Sequence, residues 1–176
     1  MAAAICCTTI RSSAQRPTLA PYIPTPQDVV DRMLTLAEVS SKDIVYDLGC
    51  GDGRVVITAA KKYGARGVGI DIDKDRIDES RRNAREAGVS SLVRFERGDI
   101  LEANVSEATV VTLYLVSSAN LKLRPILTKQ LPAGARIVSH TFGMGDWQPD
   151  KVDKFADGRG DQRVLYLWRT DGKVRP

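Results

Sequence analysis

The stretch VYDLGCGDGRVVITAAKKYGARGVGIDID, residues Val45 to Asp73, carries the strongest pattern in the chain. It starts as an apolar run, places Gly49, Gly51 and Gly53 within five positions, and continues with helical spacing. A glycine-rich turn between a strand and a helix is the nucleotide-binding corner of doubly wound sheets. Glycine there lets the backbone approach a ligand, and the helix start offers unpaired N–H groups. We therefore predict a ligand site at this turn.

The rest of the chain continues the same alternation of strands and helices. Strands are predicted at residues 43–48, 66–71, 92–99, 108–115, 134–142 and 163–169, and helices at 25–39, 54–64, 74–88 and 117–131. Apolar strands that alternate with helices indicate a parallel sheet covered on both faces. Near the end one strand follows another, and residues 143–162 leave room for one more. The predicted fold is α/β: a doubly wound, mostly parallel seven-stranded sheet with an antiparallel terminal hairpin.

Local signals predict how individual helices begin and where one is interrupted. Thr25 is predicted as the N-cap of the first helix, with Pro26 at its first position and Asp28 completing a capping box. Asp73 is predicted to cap the third helix. Pro125 is predicted to divide the fourth helix, because proline lacks the N–H group that a helix interior needs.

The length of 176 residues and the 43% hydrophobic content predict one domain, at residues 21–170. Residues 1–20 are predicted to be a disordered tail and residues 171–176 a C-terminal tail. The net charge of +4 is mild, and no run of Lys and Arg alternates with aromatic residues. The composition therefore does not favour nucleic acid as a partner. Nothing in the sequence indicates an oligomeric state.

The three cysteines, Cys6, Cys7 and Cys50, form neither a disulfide framework nor a metal-binding spacing. We therefore expect no metal and a reducing compartment, the cytoplasm. No apolar run approaches the ~18 residues of a membrane span. The first residues contain Arg and Ser but no acid, as organelle transit peptides do, so a mitochondrial or other organelle lumen is the alternative.

The charge of the glycine turn argues against a dinucleotide. The spacing from Asp47 to Gly53 is D-x-G-x-G-x-G, so the third glycine comes one residue earlier than in G-x-G-x-x-G. Carboxylates at Asp47 and Asp52 would each repel a pyrophosphate by about a kcal/mol or more. They would attract a cation. A ligand that bears a sulfonium and an ammonium group fits this turn better than NAD does.

Two further acids end the next two strands. Asp71 lies 24 positions after Asp47, where a carboxylate can accept both ribose hydroxyls. Asp99 lies where an adenine amino group could be held. Strand-end aspartates also serve as helix caps and turn formers, which is the alternative for each of them. The order of these features at successive strand ends favours a binding site.

These motifs resemble class I S-adenosylmethionine-dependent methyltransferases, which have a Rossmann-like sheet. The resemblance covers residues 21–168 and is closest to the lysine methyltransferases of the ATP synthase c subunit and adenine nucleotide translocase, with their short bacterial relatives. The segments that carry it are PYIPTP, DLGCGDGR, TLYLVSSANLKLRP and GARIVSHTFGMGDWQP. The chain differs from that group at Cys50, where serine is common, and at Ser117, where proline is common. We expect no counterpart here of the membrane-anchoring segment of the mitochondrial members, which leaves their substrate open.

The resemblance implies S-adenosyl-L-methionine as the cofactor and assigns roles to residues around the turn. Asp47, Gly49 and Gly51 would hold the methionine end, Asp71 the ribose and Asp99 the adenine. Tyr22 and Thr25 would cover the cofactor or line the acceptor entrance. The implied cofactor-binding residues are Asp47, Gly49, Cys50, Gly51, Asp52, Gly53, Asp71, Asp99, Tyr22 and Thr25.

The methyl acceptor is expected at the loop after the fourth strand, which reads LYLVSSAN. This loop lacks the Asn/Asp-Pro-Pro-Tyr/Phe motif of enzymes that methylate adenine or glutamine, which counts against those acceptors. The resemblance implies an acceptor nitrogen such as that of a protein lysine. Tyr114 is the first candidate for the acceptor pocket, with a packed core aromatic as the alternative. His140 is a candidate catalytic base, with a structural histidine as the alternative. Ser117, Ser118 and Asn120 could equally cap the following helix.

Two other functions remain open from sequence alone. An NAD-linked oxidoreductase would use the same type of strand–turn–helix unit, although the early third glycine disfavours it. The other alternative is a non-catalytic protein that binds S-adenosylmethionine as a sensor or scaffold. Methyltransferases often have no invariant catalytic base, so the sequence of an inactive member would not show the loss of one.

Overall fold

The computed structural model describes residues 19–176, so the predictions for Cys6, Cys7 and most of the N-terminal tail lie outside the described residues. Eleven elements follow one another in this part of the chain. They are α1 (Gln27–Leu36), β1 (Ile44–Leu48), α2 (Arg54–Tyr63), β2 (Arg66–Asp71), α3 (Lys74–Glu86), β3 (Val93–Arg97), β4 (Val110–Leu113), α4 (Ser117–Gln130), β5 (Arg136–His140), β6 (Lys151–Ala156) and β7 (Gln162–Arg169).

The strands form one seven-stranded sheet in the order β3-β2-β1-β4-β5-β7-β6. Strands β1 to β5 pair in parallel, whereas β7 is antiparallel to both β5 and β6. The predicted fold class is therefore confirmed, and β6 is the additional strand expected between residues 143 and 162. The strand order reverses between β1 and β4, which opens a crevice at their carboxyl ends.

Helices cover the sheet on both faces, and neighbouring strand residues point alternately to each side. Val45 and Val110 belong to the core cluster that includes α1, α2 and α3. Tyr46 and Val111 belong to the cluster on the opposite face, which includes Leu123 of α4. This alternation within apolar strands is the pattern of a sheet buried on both faces.

The prediction of Thr25 as the N-cap of α1 is wrong. The cap position is occupied by Pro26, whose extended backbone leaves the helix to begin at Gln27, and no side chain caps it. Asp28 does not complete a capping box, because its carboxylate accepts hydrogen bonds from the N–H groups of Val29 and Gly158, at 3.0 and 2.6 Å. The cap predicted at Asp73 is confirmed: its side chain accepts from the N–H of Asp75.

The prediction that Pro125 divides the fourth helix is also wrong, since α4 is continuous with the proline inside it. The lost backbone hydrogen bond is tolerated because Leu123 and Leu127 anchor the helix in the core on both sides of the proline. None of Ser117, Ser118 and Asn120 caps α4, whose N-cap residue Val116 makes no side-chain cap.

Both ends of the described chain pack against the domain. Leu19 and Ala20 contact the second core cluster, so the packed region includes two residues that the predicted boundary assigned to the tail. At the other end the N–H of Arg175 donates to Thr128 Oγ1 at 2.9 Å, and its guanidinium lies 4.5 Å from the centre of the Trp147 ring. No helix within residues 19–176 is both long and apolar enough to cross a membrane.

Candidate active site

A cavity of about 500 Å³ opens at the carboxyl ends of β1, β2 and β4. Five segments and two single residues, Met33 and Arg76, line it. The segments are the N-terminal strap, which we define as residues 19–25, the glycine turn from Asp47 to Val55, residues 71–73, residues 98–101, and Tyr114 with Leu115. The carboxyl ends of parallel strands meet at one sheet edge, which brings these distant segments together. The cavity therefore occupies the position predicted for the ligand site.

The glycine turn has a backbone that only glycine adopts readily. Gly49, Gly51 and Gly53 all have positive φ angles, of 83°, 51° and 80°. A Cβ atom at Gly51 would lie 2.4 Å from the Tyr22 ring, and one at Gly53 would lie 2.6 Å from the Phe95 ring. Gly49 and Gly51 line the cavity, whereas Gly53 does not. The third glycine therefore serves the packing of α2 against its neighbours.

Asp47 lies at the base of the cavity and is almost fully buried. Its carboxyl oxygen Oδ1 accepts a hydrogen bond from Thr112 Oγ1 at 2.7 Å. Burial raises the pKa of Asp47 to about 7, and the nearby carboxylates of Asp71 and Asp52 contribute to the rise. No Lys or Arg within residues 19–176 forms an ion pair with it. A buried acid of this kind is stabilised in its charged form by a cation placed in the cavity.

Asp52 does not act as the free negative charge that the sequence argument assumed. Its carboxylate pairs in a bidentate manner with the guanidinium of Arg54, at 2.5 to 3.1 Å. Arg54 also donates from Nη1 to the carbonyl oxygen of Thr25 at 2.7 Å. Arg54 is thereby held between the adjacent Asp52 and the strap, so its guanidinium stays paired with the carboxylate. The negative charge facing the cavity thus comes mainly from the other acids.

Asp71 holds the glycine turn in place and also lines the cavity. Its Oδ2 accepts from the N–H of Gly51 at 2.9 Å, and its Oδ1 accepts from the N–H of Asp73 at 3.0 Å. Each carboxylate oxygen has a second lone pair, so hydroxyl donors can still bind. Asp99 lies beside the same cavity, and its Oδ1 accepts from the N–H of Leu101 at 2.9 Å. Both acids are therefore placed where a ligand in the cavity would meet them.

Three more predicted residues border the cavity. Tyr22 crosses the glycine turn, and Thr25 is buried at the inner end of the strap. Cys50 is buried within the turn, where its sulfur would be 2.8 Å from a Cβ atom added at Gly69. Burial raises the pKa of the Cys50 thiol, with a further contribution from Asp47. The thiol therefore stays protonated and does not serve as a nucleophile.

Tyr114 and His140 lie side by side but in different surroundings. Tyr114 lines the cavity, and its ring centre is 4.1 Å from that of His140 and 6.5 Å from that of Phe142. His140 has no exposed surface and does not line the cavity. Neither of its ring nitrogens has a hydrogen-bond partner, and burial lowers its pKa to about 4. This placement does not fit a base that contacts the acceptor, and it matches the structural alternative.

Sequence reasoning missed Thr112, Arg54 and Arg76. Thr112 pairs in register with Asp47 on the neighbouring strand. The sequence signal that could have pointed to it is a polar residue inside the apolar run of β4. Arg54 and Arg76 line the cavity and hold the strap. Arg54 stands two positions after its partner Asp52, a spacing that could have pointed to the pair. Nothing in the local sequence separates Arg76 from the other arginines of α3.

The chain was compared with known proteins. Residues 47–151 match the ANTKMT methyltransferase domain. A protein-lysine N-methyltransferase of Saccharolobus islandicus is 47% identical over 149 residues, which is 84% of this chain and 92% of that protein. The adenine nucleotide translocase lysine N-methyltransferase of Mus musculus is 33% identical over 145 residues, which is 82% of this chain and 61% of that protein.

A solved structure shows the same fold. It is the crystal structure of an RNA methyltransferase from Salinibacter ruber in complex with S-adenosyl-L-homocysteine. It is 53% identical, has a TM-score of 0.82, and the match covers 87% of this chain and 97% of that one. TrmN from Thermus thermophilus, with a TM-score of 0.66 and 17% identity, shares the fold.

The sheet order and the cavity at its switch point define an S-adenosylmethionine-dependent methyltransferase. Within that class the chain belongs to the ANTKMT methyltransferase domain family. The resemblance stated from the sequence is thereby confirmed, S-adenosyl-L-methionine is the cofactor, and the NAD-linked and non-catalytic alternatives are discarded.

The cavity fits this cofactor on three observations. Its volume suits a small nucleoside ligand, Asp47 offers a buried carboxylate without a cationic partner among the described residues, and the turn at Gly49 and Gly51 leaves no room for side chains. When bound, the cofactor supplies a methyl group activated by its attachment to a positively charged sulfur.

Proposed function

We propose that this enzyme methylates the side-chain amine of a protein lysine. The observation that carries the proposal is the single cavity that joins the acids Asp47, Asp71 and Asp99 to Tyr114 at the loop after β4. The relative from Saccharolobus islandicus, named a protein-lysine N-methyltransferase, supports it, because the match covers 92% of that protein.

In this proposal Asp47, with the backbone at Gly49 and Gly51, holds the methionine end of the cofactor. Asp71 accepts hydrogen bonds from the ribose hydroxyls, and Asp99 accepts from the adenine amino group. Support comes from the order of these residues along the cavity wall, which follows the order of strands β1, β2 and β3. The remaining turn residues, Cys50, Asp52 and Gly53, keep the turn in shape.

Tyr114 is proposed to orient the acceptor amine. Its ring lies tilted against that of His140 and is stacked with that of Phe142, so these two neighbours restrict its rotation. The Phe142 carbonyl is held in turn by Ser139 Oγ at 2.6 Å and Asn120 Nδ2 at 3.0 Å. Fixed positioning matters here, because aligning the reacting groups can supply ~7–11 kcal/mol of the barrier reduction.

A lysine must lose its proton before its nitrogen can attack. The buried His140 is neutral and does not contact the cavity, so we propose that the amine is deprotonated by solvent on its way in. The methylation rate should then rise with pH well above neutrality. Replacing His140 with Phe should leave the shape of this pH profile unchanged.

RNA is the second candidate acceptor. The solved Salinibacter ruber structure that is 53% identical is described as an RNA methyltransferase. A groove of about 340 Å³ beside the edge strand β3 is also lined by Arg81, Arg85 and Arg94, which could contact phosphates. The lysine proposal is preferred because this groove is separate from the cavity, with no lining residue in common.

The acceptor is identified by transfer of tritiated methyl groups from S-adenosylmethionine into cell extracts. One extract is cleared of RNA with ribonuclease, and in a second the lysines are blocked by acetylation. We expect labelling to survive ribonuclease, to be lost on acetylation, and to yield methyl-lysine after acid hydrolysis. Loss of label with ribonuclease would instead establish RNA as the acceptor.

Tyr114→Phe tests the acceptor role in the same assay. The variant should lower the transfer rate while the affinity for S-adenosylhomocysteine stays unchanged. Tyr166→Phe is the matched control, because Tyr166 belongs to β7 and does not line the cavity. Equal rates for the two variants would remove the hydroxyl of Tyr114 from the mechanism. The cytoplasmic location expected from the sequence stays a prediction.

A further inference from the structure

We propose that Arg76 is a positioning residue that holds Tyr22 against the glycine turn and thereby keeps the N-terminal strap closed over the cofactor cavity. The proposal rests on the assignment of this cavity to S-adenosylmethionine. It concerns how long the cofactor or its demethylated product stays bound, which the acceptor assignment does not address.

The strap forms one wall of the cavity along its whole length, from residue 19 to residue 25. Its two ends are anchored: Leu19 and Ala20 pack on the core, and the carbonyl of Thr25 accepts a hydrogen bond from Arg54. Its middle is different, because the residues Tyr22 and Ile23 are 48% and 57% exposed. The middle of the strap therefore depends on a few surface contacts to remain in place.

Tyr22 makes those contacts with two other elements. Its ring rests on the glycine turn so closely that a Cβ atom at Gly51 would lie 2.4 Å from Cε2. The guanidinium carbon of Arg76, in the first turn of α3, lies 4.7 Å from the centre of the same ring. The strap cannot lift away from the turn without separating Tyr22 from Arg76.

The position of Arg76 is otherwise hard to explain. It lines a cavity whose ligand carries a positively charged sulfur, so its own charge would repel the cofactor. Glu79 pairs with the guanidinium at 2.5 Å, which partly offsets that charge and fixes the group over the ring. A cation stacked on an aromatic face at an exposed site stabilises closure modestly, by an amount equivalent to a two- to fivefold change in an equilibrium or rate constant. This amount suits a closure that must also open.

The test measures the rate at which S-adenosylhomocysteine dissociates from the full chain after dilution or displacement. Arg76→Ala is expected to dissociate about two- to fivefold faster than the wild type, and Arg76→Lys to lie in between because lysine keeps the cation. Tyr22→Ala should be at least as fast as Arg76→Ala. The double variant should match Tyr22→Ala, since the two residues act through one contact.

Arg82→Ala is the matched control, because Arg82 is exposed on the same helix and does not line the cavity. Limited chymotryptic cleavage after Tyr22 gives a second measurement without ligand, and it should be faster in Arg76→Ala than in Arg82→Ala. Additive effects in the double variant, or equal rates for Arg76→Ala and Arg82→Ala, would overturn the proposal. Wild-type protein that fails to bind S-adenosylhomocysteine would overturn the cofactor assignment itself.

Discussion

Replacing Asp47 with Asn should change how the stability of the ligand-free enzyme depends on pH. Burial raises the pKa of this carboxyl from the ordinary value of 3.8 to about 7. Between these two values the unfolded chain has released the proton and the native protein still binds it. The native state therefore binds more protons, and the free energy of unfolding falls as pH rises through this window.

The size of the effect follows from the gap between the two pKa values. Each pKa unit corresponds to about 1.4 kcal/mol, so the gap amounts to ~4 kcal/mol once both states are ionised. Part of this contribution to the free energy of unfolding is already lost at pH 5. The remaining ~2–3 kcal/mol is lost between pH 5 and pH 8. Asparagine keeps a carbonyl oxygen to accept the hydrogen bond from Thr112 Oγ1 and has no proton to lose.

The assay is urea unfolding of both proteins without cofactor, at intervals from pH 5 to pH 8. The free energy of unfolding of Asp47→Asn, relative to wild type, should rise by ~2–3 kcal/mol across this range. The comparison cancels the contribution of His140, whose lowered pKa changes stability in the opposite sense in both proteins. A constant difference between the two proteins would show that Asp47 titrates at an ordinary pKa and that the cavity does not perturb it.

Three other changes test separate parts of the site. Gly51→Ala should weaken cofactor binding by tenfold or more in calorimetry, because the new Cβ would displace the Tyr22 ring and the residue has a positive φ angle; unchanged affinity would contradict this account of the turn. The unfolding free energy of His140→Phe, relative to wild type, should rise by ~2 kcal/mol as the pH falls from 7 to 5, since a neutral buried imidazole resists protonation and the contribution of Asp47 cancels in the comparison; a constant difference between the two proteins would refute it. Asp71→Ala should weaken cofactor binding by ~1–3 kcal/mol, because the ribose hydroxyls proposed to bind it and the N–H of Gly51 would both lose their acceptor; an unaffected Kd would assign the ribose to another residue, first to Asp73.

The architecture could be predicted from the sequence because its signals are local. Apolar runs alternating with amphipathic segments specify strands and helices, and the parallel arrangement follows from that alternation. The cavity could be located for a related reason: Asp47, Asp71 and Asp99 follow strand ends, and parallel strands bring their carboxyl ends to one edge. Residues widely separated in the sequence were thereby grouped correctly around one cavity.

Side-chain partnerships were decided by the tertiary structure. The sequence placed Asp52 among the free acids, although its partner Arg54 is only two positions away. What the tertiary structure added is the hydrogen bond from Arg54 to the strap at Thr25, which fixes the pair in place. The sequence also offered His140 as a catalytic base, but the fold buries this residue beside Tyr114.

The same limit applies to helix ends and to the closure of the cavity. Thr25 and Pro125 carried standard cap and break signals, and both were overridden by packing of the strap and of α4. The contact between Tyr22 and Arg76 left no trace in either local sequence, because it joins segments separated by two helices and two strands. Periodicity determines which elements form, whereas the partner of each polar side chain depends on which elements the fold brings together.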